Sequence, residues 1–456
     1  MENSEAFVEK ALSLIDGRKF SAMQELLNEH EAADIAEIFE ELEPDKAVIL
    51  FRLLPKETAA EVFVEMDSDE QLDLIRKFSD RELSAVLSEL YFDDAADIID
   101  EMPASVVRRI LAIASPDMRR TVNELLKYPD DSAGSIMTTE FVGLKKSMCV
   151  SDALEFIRSV AIDKETIYTC YVIEKDRQLL GIVSAKTLLT SPLDAVIGDI
   201  MDDNVISVGT LDDQEEVAQI FSKYDYIAVP VVDKENRLVG IITVDDVIDV
   251  IQEETEEDFA KMAAITPVDT TYLKTGVFAT WKTRIPWLLL LMVSATFTGM
   301  IISKFENALA AQVALTAFIP MLMDSGGNSG SQASVTVIRG ISLGEIEFSD
   351  IFKVIWKEIR VSVLCGITLG LATFIKIILV DNIIMKSAIS FPVMAVVSIT
   401  LCCTIICAKL IGCTLPMLAK KLGFDPAVMA SPFITTIVDA VSLLVYFGFA
   451  SIILKI

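Results

Sequence analysis

The sequence is poor in the side chains that usually carry enzyme chemistry and transition-metal binding. It contains a single histidine, His30, and seven cysteines among 456 residues. The two cysteines of the first 270 residues, Cys149 and Cys170, have neither a CxxC neighbour nor a companion histidine, so neither a zinc site nor a disulfide framework is predicted. The chain also lacks a Walker loop and any Ser-His or Cys-His constellation. These absences make a nucleotide-regulated membrane enzyme the least favoured class of function, and we expect no enzyme activity.

Basic residues are scarce in the first part of the chain. Residues 1–270 carry 59 Asp and Glu against 25 Lys and Arg, whereas residues 271–456 carry 9 against 14. Because nucleic-acid binding depends on clustered Lys and Arg, the acidic part argues against nucleic acid as a partner and suits cations instead. Solubility accounts for scattered surface acids, but it does not account for dense local clusters of them.

Residues 1–130 repeat the spacing of short amphipathic helices. Apolar residues recur every three or four positions, and Pro or Asp/Ser pairs stop and cap the helices, as at Pro44 and Pro103. Two stretches, EAADIAEIFEELEP and DDAADIIDEMP, look like copies of one unit. We therefore predict an acidic, all-α superhelical domain in which each helix buries one stripe against its neighbours.

Residues 131–251 change to short β-rich runs that alternate with helices, and the order strand, helix, strand, turn, strand, helix occurs twice. This α/β pattern resembles a tandem pair of cystathionine-β-synthase (CBS) domains, most clearly in GIITVDD at residues 240–246. The resemblance implies that ATP or another adenine nucleotide binds in the cleft, with Thr243 and Asp246 contacting phosphate and ribose. The first repeat has Thr187 where the second has Asp246, so at most one good nucleotide site is implied.

Residues 252–283 are expected to connect these domains to a membrane through an acidic helix. Five acids crowd into six positions of this segment: Glu253, Glu254, Glu256, Glu257 and Asp258. A transmembrane domain of five α-helical spans is predicted over residues 284–456, because five apolar segments there are long enough to cross a bilayer. They cover residues 285–303, 308–338, 359–380, 388–414 and 427–454.

The charges at the ends of the apolar segments orient them. Basic residues concentrate in the junctions 339–360 and 409–421, so the positive-inside rule places the amino terminus in the cytosol and the carboxyl terminus outside. The first residues, MENSEAFVEKALSL, are acidic and lack the apolar core of a signal peptide. We therefore expect a multi-pass protein of the cytoplasmic membrane whose amino terminus stays in the cytosol.

One acid, Asp439, lies in the middle of the last apolar segment. An unpaired acid at bilayer depth costs on the order of 3 kcal/mol, and no Lys or Arg is expected at the centre of any apolar segment to neutralise it. Thr435, Thr436 and Asp439 share one helical face, and Pro432 frees a backbone carbonyl close by. We expect Asp439 to face a passing cation, while a proton-relay role stays open.

The second apolar segment contains PMLMDSGGNSGSQ at residues 320–332, which is unusually polar and rich in glycine. We expect loosened backbone here, and at this depth it is tolerated only where it lines protein or a watery cavity. Tight helix packing through small residues is the alternative. Pore lining is favoured over it, because small-residue packing does not need Asp324, Asn328 and Gln332 together.

The available ligands indicate a hard cation, since they are oxygen donors without histidine or a thiolate cluster. Mg²⁺ keeps its waters and is held through one or two carboxylates, whereas Ca²⁺ takes about six to eight oxygens. One Asp per span, doubled across a twofold axis, fits hydrated Mg²⁺. The sequence leaves selectivity against Mn²⁺, Co²⁺ and Zn²⁺ open.

The order of segments resembles the MgtE family of magnesium channels over essentially the whole chain. The most specific marks are PMLMDSGGNSGSQAS in the second apolar segment and LGFDPAVMASPFITTIVDA entering the last. The resemblance implies a homodimer embedded in membrane lipid, with a pore for Mg²⁺ on its twofold axis. It implies that Asp439 captures hydrated Mg²⁺, that Asn328 lines the pore, and that Glu306 and Asp425 are acids near it.

The same resemblance gives the acidic clusters a regulatory role. It implies that cytosolic Mg²⁺ binds between the helical domain, the CBS pair and the connecting helix, and clamps that helix so that it plugs the pore. The implied ligands are Asp93, Asp97, Asp246, Asp249, Glu254, Glu257 and Asp258. Like charges about 4 Å apart repel by roughly 4 kcal/mol at an effective dielectric constant of 20, so divalent ions would favour the compact form. The alternative for each single acid is solvated surface charge.

The leading hypothesis is therefore a Mg²⁺-selective channel gated by cytosolic Mg²⁺. A coupled secondary transporter of divalent cations, with Asp439 as the ion or proton site, is the alternative, since a broken helix also suits such a transporter.

Overall fold

The computed structural model describes residues 2–268, 272 and 274–455. The chain divides into two compact units, Met1–Ile251 and Gln252–Ile456. The first unit contains a run of short helices followed by two small sheets, and the second is helical. This architecture confirms the predicted order of domains: an all-α domain, an α/β pair and a helical region with several apolar helices.

The first part of the chain is a succession of short helices, most of which pack on the helix two places further along, and this packing builds the predicted superhelix. Local signals define the helix ends: Pro44 opens one helix, and Ser79 and Glu82 form a reciprocal capping box at another. The helices are α1 (Glu2–Asp16), α2 (Phe20–Leu27), α3 (Ala32–Glu40), α4 (Pro44–Phe51), α5 (Lys56–Val64), α6 (Ser68–Lys77), α7 (Asp80–Leu87), α8 (Phe92–Glu101), α9 (Ala104–Ile113) and α10 (Pro116–Leu125).

Two sheets with the same strand order follow, β1-β2-β3 and β4-β5-β6. In each, the first pairing is parallel and the second is antiparallel, as expected for two copies of one repeat. The elements are β1 (Gly143–Lys145), α11 (Val150–Val160), β2 (Thr169–Ile173), β3 (Leu179–Ser184), α12 (Ala185–Thr190), α13 (Ile197–Ile200), β4 (Val208–Gly209), α14 (Gln214–Tyr224), β5 (Ala228–Val232), β6 (Leu238–Thr243) and α15 (Val244–Met262).

The two repeats exchange edge segments. Thr138, which precedes the first repeat, pairs with Ile241 in β6, and Asp202, which precedes the second, pairs with Ile182 in β3. Strands β6 and β3 each contain a glycine at the point where the backbone of the other repeat crosses them. A Cβ at Gly240 would lie 2.6 Å from the Thr138 carbonyl oxygen, and one at Gly181 would lie 2.7 Å from that of Asp202. Both glycines are therefore required for close backbone approach.

The second unit contains the end of α15 and the long apolar helices. Its further elements are α16 (Val277–Lys304), α17 (Glu306–Ala311), a 3₁₀ helix (Val313–Phe318), α18 (Ile319–Ser342), α19 (Ile351–Lys376), a π-helix (Ile377–Ile384), α20 (Phe391–Lys421), a 3₁₀ helix (Pro426–Met429) and α21 (Ser431–Leu454). Within the described residues, four stretches are long and apolar enough to span a bilayer: 277–304, 348–384, 391–421 and 426–454. At 24 residues α18 has the length of a span but is more polar, so its role as a fifth stays a prediction.

The structure corrects the expectation of loosened backbone at residues 320–332, because α18 runs through this stretch as one continuous helix. Its glycines are buried against the neighbouring helices. A Cβ at Gly326 would meet Thr404 and Ser442 at 2.6 and 2.9 Å, and one at Gly412 would lie 2.2 Å from the Gly330 carbonyl oxygen. The glycines thus serve close packing of α18 on α20 and α21, which is the alternative that the sequence made less favoured.

We expect Gly412→Ala to destabilise the membrane helices, since the added methyl group meets backbone that cannot move aside. The predicted loss is about 1–3 kcal/mol, as for other overpacked sites. The matched control is Gly448→Ala in α21, where nothing lies within 4 Å of the added carbon. Thermal unfolding of the detergent-purified protein should show a lower midpoint for Gly412→Ala only; equal midpoints would contradict this packing.

Candidate cation sites

The first candidate site lies where α18 and α21 face each other. Asp324 and Asn328 are four residues apart on α18, so they share one face of that helix, and both are exposed in the single chain. Asp439 on α21 is half-buried and lies within electrostatic range of Asp324. Helix α18 therefore has two different faces. Its glycines pack against α20 and α21, whereas Asp324 and Asn328 lie on an open face.

The threonines beside Asp439 are anchored by their own helix. Both hydroxyls donate to the Pro432 carbonyl oxygen, Thr435 at 2.9 Å and Thr436 at 3.0 Å. A Cβ at Gly327 would lie 2.9 Å from the Thr435 methyl carbon, so this threonine also packs on α18. Because their protons are used, the two hydroxyl oxygens can only accept hydrogen bonds, which suits contact with the waters of a hydrated cation.

The other two acids implied near the pore lie apart from this group. Glu306 is exposed in the first turn of α17. Asp425 caps the 3₁₀ helix before α21, where its Oδ1 accepts from the Ala427 backbone at 2.7 Å. Its Oδ2 lies 2.6 Å from the Lys261 ammonium. Asp425 is therefore already neutralised by a basic side chain.

The end of α15 docks on the transmembrane helices within the second unit. Lys261 bridges Asp425 and Glu257, each at 2.6 Å, and the Ser342 hydroxyl at the end of α18 donates to Asp258 at 3.3 Å. Met262 packs against the apolar cluster of Ile338, Ala427 and Ala430. Burial and the neighbouring Asp425 charge raise the pKa of Asp258, so this contact gathers acids around one lysine. Glu254 lies on the same helix, one turn before Asp258.

The second candidate site is an acidic cluster within the first unit. It joins α8, which carries Asp93, Asp94 and Asp97, to the start of α15 and to Glu165. Burial, followed by the charge of Asp94, raises the pKa of Asp93 to about 7. Burial and the charge of Asp93 likewise raise the pKa of Asp246 to about 7 and that of Glu165 to about 9.

Two oxygens of the cluster are left without a hydrogen-bond partner. They are Asp93 Oδ1 and Glu165 Oε2, both buried, and the Asp93 side chain as a whole is only 6% exposed. A buried polar atom without a partner costs about 1–3 kcal/mol. The cluster therefore offers carboxylate oxygens as cation ligands, and a bound cation would remove the cost of the unpaired oxygens. Among the described residues, however, no group of three or more acids is close enough to enclose a cation directly.

The predicted ligands Asp97 and Asp249 lie at the margin of the cluster. Partial burial, followed by the charge of Asp93, raises the pKa of Asp97. Its side chain is exposed, so Asp97 lies at the mouth of the cluster. Asp249 is exposed one turn beyond Asp246, and partial burial raises its pKa.

Thr243 and Asp246, the residues implied in nucleotide binding, are hydrogen-bonded to each other. The Thr243 hydroxyl donates to Asp246 Oδ2 at 2.5 Å, and the Thr243 backbone N–H lies 3.4 Å from the same oxygen. In the first repeat the Ser184 hydroxyl accepts from the Thr187 backbone at 3.0 Å in the equivalent place. Asp246 is thus shared between a helix cap and the acidic cluster, and its contact with a nucleotide stays a prediction.

Several polar residues of the structure were missed by sequence reasoning. Glu165 joins the acidic cluster through the fold, and its backbone donates to the Glu140 carbonyl oxygen, while the Glu140 carboxylate accepts from Phe92 at the start of α8. Lys409 was expected in the basic junction 409–421, but it is buried beside Glu358. No local pattern in the sequence marks the contacts of Glu165 or Lys409.

Comparison with known proteins places three parts of the chain in families. The divalent cation transporter region of MgtE matches residues 319–449, the MgtE intracellular N domain matches residues 30–131, and a CBS domain matches residues 197–253. The chain is 35% identical over 438 residues to the magnesium transporter MgtE of Thermus thermophilus, with 95% of each chain covered.

Two solved structures each match about half of this chain. The crystal structure of the soluble part of a magnesium transporter is 32% identical, with a TM-score of 0.51 over 55% of this chain and 99% of that chain. The crystal structure of the cytosolic domain of the Mg²⁺ channel MgtE in complex with ATP is 37% identical, with a TM-score of 0.50 over 54% of this chain and 99% of that chain.

The acidic cluster should make the first unit less stable as the pH rises when divalent cations are absent. Unfolded Asp and Glu ionise near pH 4, whereas folded Asp93 and Asp246 hold protons up to about pH 7 and Glu165 up to about pH 9. The folded state binds more protons, so the free energy of unfolding falls between about pH 5 and pH 9.

Pulse proteolysis in urea, with a chelator and then with Mg²⁺, measures this effect. Mg²⁺ should raise the urea midpoint of the helical domain most at the highest pH, and Asp93→Asn should flatten the pH dependence. Asp100→Asn, an exposed acid on the same helix, is the control. A midpoint that rises with pH in the chelated wild type would contradict the burial of these acids.

Proposed function

The chain belongs to the MgtE family of divalent cation transporters, and from that premise we propose that it conducts Mg²⁺ across the cytoplasmic membrane through a channel closed by cytosolic Mg²⁺. The observation that carries the proposal is the open face formed by Asp324, Asn328 and Asp439. Acids at bilayer depth need a counter-charge, and in this family a divalent cation is the fitting one.

We further propose that the working form is a homodimer with the pore on its twofold axis. One chain offers too few carboxylates at Asp439 to hold a divalent cation, and a second copy would double them. Exposed apolar side chains in the first unit also support association between two copies of the chain. They are Leu189 and Leu193, close after β3, and Ile248 on α15. Among the described residues of α16, none is buried in the single chain.

The choice of Mg²⁺ follows from the oxygen donors. The exposed carboxylates and amide of the pore face, and the hydroxyl oxygens of Thr435 and Thr436, suit an ion that keeps its water shell. The relative from Thermus thermophilus is named a magnesium transporter, which supports the same ion here. Binding through water also agrees with the spacing of the acids, which enclose no bare ion in one chain.

For regulation, we propose that Mg²⁺ binds the acidic cluster of Asp93, Asp246 and Glu165 and stabilises the compact first unit. The buried oxygens without partners are the support, since Mg²⁺ and its waters would satisfy both. The end of α15 would then act as the plug, held on the membrane helices by Lys261 and Asp425. The positive-inside pattern supports a cytosolic location for both regulatory regions.

A second ligand of the CBS pair is an adenine nucleotide. The support is the solved relative that holds ATP and is 37% identical in this region. Thr243 and Asp246 would hold it only by opening their mutual hydrogen bond, so we propose that nucleotide and acidic cluster compete for Asp246.

Removing the Asp439 charge tests the pore. Asp439→Asn should abolish Mg²⁺ uptake into proteoliposomes, by at least about tenfold, because an amide keeps the shape but loses the charge that captures the cation. Glu345→Gln, an exposed acid in the loop after α18, should transport like the wild type. Normal uptake by Asp439→Asn would remove the pore assignment.

The same preparations separate a channel from a coupled transporter. Unitary currents in planar bilayers are expected for the channel, whereas saturable uptake that follows a proton or sodium gradient without such currents would favour the coupled alternative.

Breaking the ion pair at the plug tests the gate. Lys261→Met should leave the channel open at cytosolic Mg²⁺ concentrations that close the wild type, since Asp425 and Glu257 lose the lysine that joins them. Recordings from excised patches with stepped Mg²⁺ on the cytosolic side measure this. The control is Lys282→Met, an exposed lysine on α16; closure unchanged by Lys261→Met would reject the plug but leave the pore standing.

A further inference from the structure

A buried pair of opposite charges lies among the transmembrane helices, outside the sites described above. Lys409 on α20 and Glu358 on α19 have side chains only 7% and 11% exposed, and the Lys409 Nζ lies 3.6 Å from Glu358 Oε2. The distance is too long for a hydrogen bond, and Glu358 Oε2 has no hydrogen-bond partner.

Stability gives no adequate reason for this pair. Replacing a buried ion pair by apolar residues of similar volume is often neutral or stabilising, because the desolvation of two charges offsets their attraction. Here the geometry is also poor, since the pair forms no hydrogen bond. An ionisable group at this depth is a functional candidate, and the pair needs a role other than stability.

The two charges of the pair lie on helices at different distances from the pore helices. Helix α19 packs along α20, and α20 in turn packs on α18 and α21. The turn of α20 that carries Lys409 touches α18 directly, since the Ala408 carbonyl oxygen lies 3.2 Å from the Cβ position of Gly330. Gly330 is two residues from Asn328, on the opposite side of α18. Lys409 is therefore on the helix that packs on the glycine face of α18, across that helix from Asn328, and Glu358 is one helix further away.

We propose that the Glu358–Lys409 pair sets the cation affinity of the pore, with Lys409 weakening the hold of the pore face on Mg²⁺ and Glu358 limiting that effect. This inference rests on the proposed pore at Asp439. Conduction requires a site that binds a cation well enough to admit it and weakly enough to release it. Inside a low-dielectric helix bundle, a charge on the adjacent helix acts over about 10 Å.

The charge-reversed pair E358K/K409E is the main test. It keeps opposite charges in contact, but it moves the negative charge to α20, the helix that packs on α18 and α21, so the half-saturating Mg²⁺ concentration for uptake should fall at least about threefold. The single variants should move this value in opposite directions: E358Q raises it, because Lys409 is unopposed, and K409M lowers it. Uptake is measured in proteoliposomes with low internal Mg²⁺, so that the gate stays open.

A purely structural pair predicts a different pattern. In that case the reversed pair would have wild-type affinity, and both single variants would lose thermal stability and uptake together. Either result overturns the inference. Half-saturating Mg²⁺ concentrations that are unchanged in the reversed pair and in both single variants overturn it as well. Should the reversed pair fail to fold, the apolar double variant E358L/K409M replaces it and should also show a lower half-saturating concentration, whereas a wild-type value would overturn the inference.

Asp439→Asn run in parallel separates this inference from the proposed function. Normal uptake by Asp439→Asn rejects the pore itself, and with it the proposed effect of the Glu358–Lys409 pair on the cation affinity of that pore. An inactive Asp439→Asn together with an unchanged reversed pair rejects the role of the pair alone.

Discussion

The burial of carboxylates beside one another is the main electrostatic constraint on the first unit. Asp93, Glu165 and Asp246 come from three distant parts of the chain, and in the part that the structure describes none of them forms an ion pair with Lys or Arg. The packing that buries them therefore works against their charges. Such an arrangement is most stable when the acids are protonated or when a cation neutralises them, which is the physical basis of the proposed regulation by a divalent ion.

The second unit handles the same kind of charge by dividing α18 into two faces. Gly326 and Gly330 bring the helix into close contact with α20 and α21, and this contact fixes the height and rotation of the helix. Asp324 and Asn328 then lie on the opposite, open face. One short glycine-rich stretch thus provides the packing and also positions the face proposed to bind ions, because a bulkier stretch would turn or displace that face.

Local patterns in the sequence were sufficient for the helices, the two repeats and the isolated acid at Asp439. These features depend on residues within a few turns or strands of one another. The glycine-rich stretch was misjudged because composition does not reveal whether small residues loosen a helix or let it pack. Lys409 and Glu358 were missed because they lie 51 positions apart and meet only through the contact of α19 with α20. Glu165 was missed for the same reason.

The exchange of edge segments between the two CBS repeats determines the order in which they can fold during synthesis. The first repeat obtains its edge partner at Asp202 shortly after its own last strand has left the ribosome. Thr138, in contrast, leaves the ribosome early and must wait until Ile241 emerges before its backbone is paired. A nascent chain halted between the two repeats would therefore carry an open backbone edge, at the stage when a chaperone or a second nascent chain could reach it.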